Sequence, residues 1–171
     1  MKPNQLSKSE YSSFNATYIK ALEDLSLMEG LENGLSQLTV FIATIPTEKL
    51  EYRYAIGKWT IKDILLHLID SERIFAYRAL RIGRGDKTPL AGFEENDYVP
   101  NANANGRSLE SLIEEFHLVR KSTLLLFENF SDEQLAYLGI SSDNNISVRA
   151  IGFLIAGHQN HHLKVIQERY L

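Results

Sequence analysis

Residues 147–169 read SVRAIGFLIAGHQNHHLKVIQER. Ser147 stands where an N-cap is needed, and the stretch behind it predicts a helix. Val148, Ile151, Ile155, Val165 and Ile166 recur on one side of that helix when it is wound at 3.6 residues per turn. His158 and His162 fall in the middle of the same stripe, one helical turn apart, so their side chains stack on one face. Two titratable rings therefore point where a core is expected. Burying them without partners is costly, so their partners decide what the helix is for.

The rest of the chain supplies helices for this one to pack on. Met28, Leu31, Leu35, Leu38, Ile42 and Ile45 alternate spacings of three and four, which predicts a helix from Leu25 to Ile45, ended by Pro46. Gly30 and Gly34 weaken it by roughly 1 kcal/mol each relative to Ala, so packing has to compensate. Thr60 with Asp63 resembles a capping box opening a helix that runs to about Gly83. Its core stripe is Ile61, Ile64, Leu65, Leu68, Phe75, Ala79 and Ile82. His67 lies on the flank of that stripe, in line with Ser71 and Arg78, while the charged Glu72 falls inside it. Ser108 caps a further helix to about Phe130. Shorter helices are expected at Glu10–Leu22 and after Ser131, residues 1–9 as an extended tail, and GISSDNN as a loop. Residues 84–107 sustain no period. A connection of that length inside a domain is uncommon and is often functional. No segment shows a convincing strand pattern. The fold class is all-α: a four-helix bundle with a long crossover between the second and third long helices. Residues 1–171 form one domain, with 1–24 an N-terminal extension packing on the bundle.

Composition narrows the function classes. The 171 residues are 44% hydrophobic and 23% charged, with a net charge of −4 and no basic run, which argues against a nucleic-acid surface. The chain has no cysteine, hence no disulfide, no thiolate nucleophile and no cysteine zinc site. The first residues, MKPNQLSKSEYSS, are polar and read as lacking an apolar signal core, and no stretch approaches the ~20 residues that span a bilayer. A cytoplasmic protein without membrane or nucleic-acid partners is expected. Phosphate-binding glycine loops and nucleophile elbows are absent, and the adjacent pairs Glu94/Glu95 and Glu114/Glu115 read as solvated charge.

Bundles build metal sites from side chains on facing helices. His67 from one helix and His158 with His162 from another supply three imidazoles for a divalent metal with an open position, as in catalytic zinc sites. The alternative is a set of buried histidines satisfied by backbone or carboxylate groups. Asp70, one turn from His67, is a candidate to orient it. His161 is a candidate contact near the site or a surface histidine. Glu72 is a candidate partner that, with Arg73, Arg78 and Arg81, can also form a structural ion-pair network. Ser71, Arg78 and Tyr98 are further polar groups that can approach an open coordination position. His117 lies to one side of its stripe and reads as a surface or satisfied histidine.

The segments GKWTIKDILLHLIDSERIFAYRAL, RGDKTPLAGFEENDYV and VRAIGFLIAGHQNHHLKVIQERYL resemble the DinB-like (DinB/YfiT) superfamily from Gly57 to the end of the chain. The resemblance implies a bundle with that crossover and metal ligands at His67, His158 and His162. It implies zinc or nickel, a small-molecule substrate, a homodimer and no DNA contact. Members include S-transferases and an isomerase that use low-molecular-weight thiols, which places thiol-dependent transfer to a small electrophile first. A metal-dependent hydrolase comes second. The remaining expectation is a non-catalytic, metal-stabilised module of a stress response that binds a ligand or partner.

Overall fold

Each long helix begins at a hydroxyl that accepts a backbone N–H three residues on: Ser26, Thr60, Ser108 and Ser147 accept from Glu29, Asp63, Ser111 and Ala150. The computed structural model describes residues 1–171. In order they form α1 (Ser13–Lys20), α2 (Leu27–Ala43), α3 (Ile61–Gly83), α4 (Glu95–Ala102), α5 (Leu109–Glu128) and α6 (Asp132–Leu135). A hairpin of β1 (Leu138–Ser141) and β2 (Asn144–Ser147) follows, and α7 (Val148–Arg169) ends the bundle.

α2, α3, α5 and α7 make the four-helix bundle. α7 lies between α3 and α2, and α5 between the same two on the other side, so α2 and α3 face each other across a diagonal. Glu72 meets Arg120 and Gly83 meets Phe130, so α3 and α5 run parallel. Parallel neighbours require the chain to return the length of the bundle, and residues 84–108 do this. The return is not structureless. Leu90 donates its N–H to Ile140 O at 2.9 Å, α4 follows, and Asn105 reaches Thr60 and Asp63 at the start of α3.

Two further segments differ from the sequence expectation. GISSDNN is the turn and edges of the hairpin, with Ser142 and Asp143 at φ 48° and 60°. Positive φ at both turn residues is what a two-residue hairpin loop needs. The tail 1–9 carries two short 3-10 turns, and buried Glu10 binds Arg149 at 2.6 and 2.7 Å and Ser147 Oγ at 2.8 Å. α1 lies along α7, where Gly157 leaves room for the backbone of Tyr18.

The core has two apolar halves. One gathers Leu31, Ala79, Phe127, Phe153 and their neighbours, the other Leu38, Ile64, Leu112, Ile166 and theirs. Between them lies a buried polar layer. Glu72 binds Arg120 through both carboxylate oxygens at 2.8 Å, Arg120 also donates to Leu31 O at 2.9 Å, and Gln159 donates to Gly34 O at 2.7 Å. Gly34 is required here, since a Cβ would collide with the Arg120 guanidinium and come within 2.8 Å of Gln159 Oε1. No helix is long and apolar enough to cross a membrane.

Candidate metal centre

α3 and α7 run antiparallel and put His67 opposite His158 and His162. The Nε2 atoms of His67 and His162 each lie 3.1 Å from His158 Nε2, and one ligand atom from each residue falls within a 4.8 Å cluster. Three zinc-bound nitrogens at 2.0–2.1 Å in tetrahedral array would be roughly 3.3 Å apart. The spacing therefore fits one ion bound through three Nε2 atoms. His67 Nδ1 faces Ser71 Oγ at 3.4 Å, a weak contact in which the hydroxyl can accept from Nδ1–H when the Nε2 lone pair is given to a metal. His162 Nδ1 is buried without a hydrogen-bond partner.

The surroundings keep the rings neutral, which is the ligating form. Burial pulls the pKa of His67 down to about 4. It pulls His162 down to about 3, with help from His67 and His161. His158 is driven well below its usual range, first by burial and then by the other histidines. Aromatic rings fix the imidazoles in place. Trp59 lies 4.8 Å from His67 and stacks at 6.4 Å on His162, and Phe75 and Tyr18 approach His158 edge-on at 5.9 and 5.6 Å.

The triad sits in the wall of a cavity of about 400 Å³. Along α3 the cavity meets His67, Ser71, Phe75 and Arg78, which recur at helical spacing on one face. α1 contributes Tyr18, the crossover Phe93 and Glu95, and the hairpin Ser142 and Ile146. Glu95 is half-buried, in contrast to the solvated charge expected of it. It lies close enough to Tyr18 to add to burial in raising that phenol's pKa.

The other candidates take different places. Glu72 is occupied by Arg120, a partner on another helix that sequence spacing does not reveal. Its expected partners Arg73, Arg78 and Arg81 lie elsewhere: Arg73 bridges Asp70 and Glu115, and Arg81 pairs with Asp86. Asp70 faces Arg73 at 3.7 Å and lines a narrow cleft beside His67, without a hydrogen bond to it; Ser71 holds that position. His161 is exposed, packs on Tyr18 with ring centroids 5.2 Å apart, and borders the cavity mouth. Tyr98 packs on Phe93 beside the narrow cleft. His117 is satisfied by Thr39 Oγ1 at 2.6 Å. Tyr18 and Glu95 were not legible as site residues, because each reaches the cavity through tertiary packing of α1 or α4. The helical line from His67 through Ser71 to Arg78 was legible.

A family model described as the DinB superfamily matches residues 31–166. A protein of Oceanobacillus iheyensis, provisionally named a metal-dependent hydrolase, is 24% identical over 149 residues, 85% of each chain. The structure of YfiT from Bacillus subtilis is described as that of a "probable metal-dependent hydrolase with an unusual four-helix bundle topology". It matches with a TM-score of 0.74 at 17% identity, covering 96% of this chain and 90% of that one.

Proposed function

The chain belongs to the DinB superfamily, and from that premise we propose a metal-dependent hydrolase that encloses a small substrate in the cavity beside His67, His158 and His162. The observation that carries the reading is the convergence of three Nε2 atoms, 3.1 Å apart in successive pairs, at the wall of a cavity of about 400 Å³. The names of the two relatives support hydrolysis over transfer. A divalent ion held there, zinc or nickel by its nitrogen donors, supplies Lewis acidity that lowers the pKa of water or a thiol and polarises a substrate oxygen.

The protein's own groups do the rest. Burial keeps the imidazoles neutral, and Ser71 holds the His67 ring. Trp59, Phe75 and Phe93 give the cavity apolar walls. Glu95 is the carboxylate that lines the cavity together with the triad, and on this reading it is the group that would accept a proton from the attacking nucleophile.

Thiol transfer is the second reading, favoured by a specific feature. No carboxylate hydrogen-bonds to any of the three histidines, since Glu72 is held by Arg120 and Asp70 by Arg73. A metal can stabilise a thiolate without a neighbouring base. With no cysteine in the chain, the thiol has to be a diffusible molecule.

The test measures bound metal by elemental analysis in the wild type, His158→Ala and His162→Ala, then assays the loaded protein with small esters and amides, and with a thiol plus a chloroarene. Near-stoichiometric metal, lost in both variants, and metal-dependent ester or amide cleavage are expected. Full metal retention by both variants rejects the site. Turnover only with the thiol replaces hydrolysis by transfer, and no turnover leaves a metal-stabilised binding module.

A further inference from the structure

The two buried arginines of this protein are treated differently. Arg120, 1% exposed, has its charge met by both oxygens of Glu72. Arg78, 6% exposed, has no carboxylate partner. Its Nη2 donates to Ala91 O at 2.8 Å and to Ser142 Oγ at 3.3 Å, both uncharged, while Nε and Nη1 donate to no protein group. Burial alone, with no compensating anion, lowers its pKa. A buried charge is normally paired, and leaving one unpaired costs several kcal/mol.

Arg78 also lines the cavity of the histidine triad. It stands on the same face of α3 as His67, about three turns or roughly 16 Å of helix axis away. Between them the walls are Phe75, Leu154 and Ile151. The guanidinium carbon lies 5.9 Å from the centre of the Phe75 ring and 5.6 Å from that of Phe93, and Nε and Nη1 are the donors left for a ligand. A guanidinium fork matches a planar carboxylate, and a fork through Nη2 forms here when the carboxylate displaces the weaker 3.3 Å contact to Ser142 Oγ. A phosphate dianion would ask for more cationic charge than this wall offers, and Glu95 shares the cavity.

We propose that the cavity takes a carboxylate-ended ligand: the carboxylate on Arg78, an apolar or aryl segment along Phe75 and Leu154, and the reactive group at the triad. The inference rests on reading this cavity as the substrate site. The same chemistry can come from the substrate acid itself or from a carboxylated thiol used with it.

Calorimetric titration of the 171-residue protein tests it with two probe pairs, 4-phenylbutyrate against its amide and 6-mercaptohexanoate against its amide. Arg78→Gln, Arg78→Lys and His158→Ala are titrated beside the wild type. The acid is expected to bind about 10- to 100-fold more tightly than the amide, the range of a charge-assisted hydrogen bond. The ratio should fall to about one in Arg78→Gln, fall partway in Arg78→Lys, where the fork is lost, and persist in His158→Ala. Preference with phenylbutyrate assigns the carboxylate to the electrophilic substrate. Preference confined to the mercaptohexanoate pair assigns it to the thiol. A wild-type ratio near one for both pairs overturns the proposal, and so does a ratio that survives both Arg78 substitutions. A ratio lost in His158→Ala would place the carboxylate on the metal and also overturns it. If Arg78→Gln does not fold, the wild-type ratio and Arg78→Lys still decide. Metal content is read on the same samples, so protein without metal but with an Arg78-dependent ratio would sink the metal reading alone.

Discussion

Ser71 and Glu72 are neighbours on α3 and illustrate two different uses of a polar side chain in a core. Ser71 Oγ, 3.4 Å from His67 Nδ1, orients a ring whose other nitrogen faces the triad. Groups that orient a ligating imidazole typically change metal affinity by 10- to 100-fold. This long contact belongs at the low end, so Ser71→Ala should weaken zinc binding by up to about tenfold in a competition titration against a chelator; unchanged affinity would show that Trp59 packing alone holds the ring. Glu72 stabilises the bundle by neutralising Arg120. Glu72→Gln leaves a guanidinium charged in a dry layer, which costs about 3–5 kcal/mol. Replacing both residues with Met should recover most of that loss. Urea denaturation of the single and double variants decides, and a double variant as unstable as Glu72→Gln would mean that packing, not charge, is what the pair contributes.

Helices were legible wherever their own periodicity sufficed. The capped starts at Thr60, Ser108 and Ser147, the stripe of α7 and the alignment of His67, Ser71 and Arg78 all follow from residues on a single element. Pairings between elements were not legible. The Glu72–Arg120 pair joins α3 to α5, and Glu95 reaches the cavity only because α4 lies on the return path of the crossover. The hairpin was missed because Ser142 and Asp143 occupy left-handed positions without the Asn-Gly signature that usually marks them. Gly30 and Gly34 looked like weak points of α2. Gly34 is instead where another group occupies the space of a Cβ, and Gly157 of α7 is a second such place. In an exposed helix Gly→Ala stabilises by about 1 kcal/mol. At Gly157 the new methyl would run into the Tyr18 carbonyl, and overpacking of this kind costs about 1–3 kcal/mol. Gly157→Ala should therefore lower stability and lift α1 from α7. Limited proteolysis should then cut within the first 24 residues faster than in the wild type while the bundle survives. A variant that is stabilised, with unchanged cleavage, would show that α1 can shift at no cost.

At the scale of the whole molecule the triad links stability to pH. Unfolded, His67 and His162 titrate near 6.5; folded and buried, they titrate near 4 and 3. Between those values the unfolded chain binds more protons than the folded one, so stability falls as pH falls. The stabilisation is complete above about pH 6.5 and drains away towards pH 4, with His67 alone accounting for about 3 kcal/mol. The carboxylates add little to this slope: Asp70, whose pKa burial raises, acts in the opposite direction. Glu10, whose burial is outweighed by Arg149, Ser7 and Ser147 so that its pKa is lowered, has an unfolded value of 4.5 and acts only below that. Chelator-treated protein should thus show a melting temperature that is flat above pH 7 and falls steadily from 6.5 to 4.5. His67→Phe should show a shallower fall over the same interval. Bound metal adds stability in proportion to its occupancy. Burial holds the folded imidazoles neutral well below their usual range, so metal loss at pH 5–6 is expected to accompany unfolding. Metal release and loss of helical circular dichroism should then coincide in one transition on acidification. Release that precedes unfolding by a full pH unit would mean that solvent reaches the three rings far more freely than their burial allows, and the cavity would have to be redrawn as open at the triad.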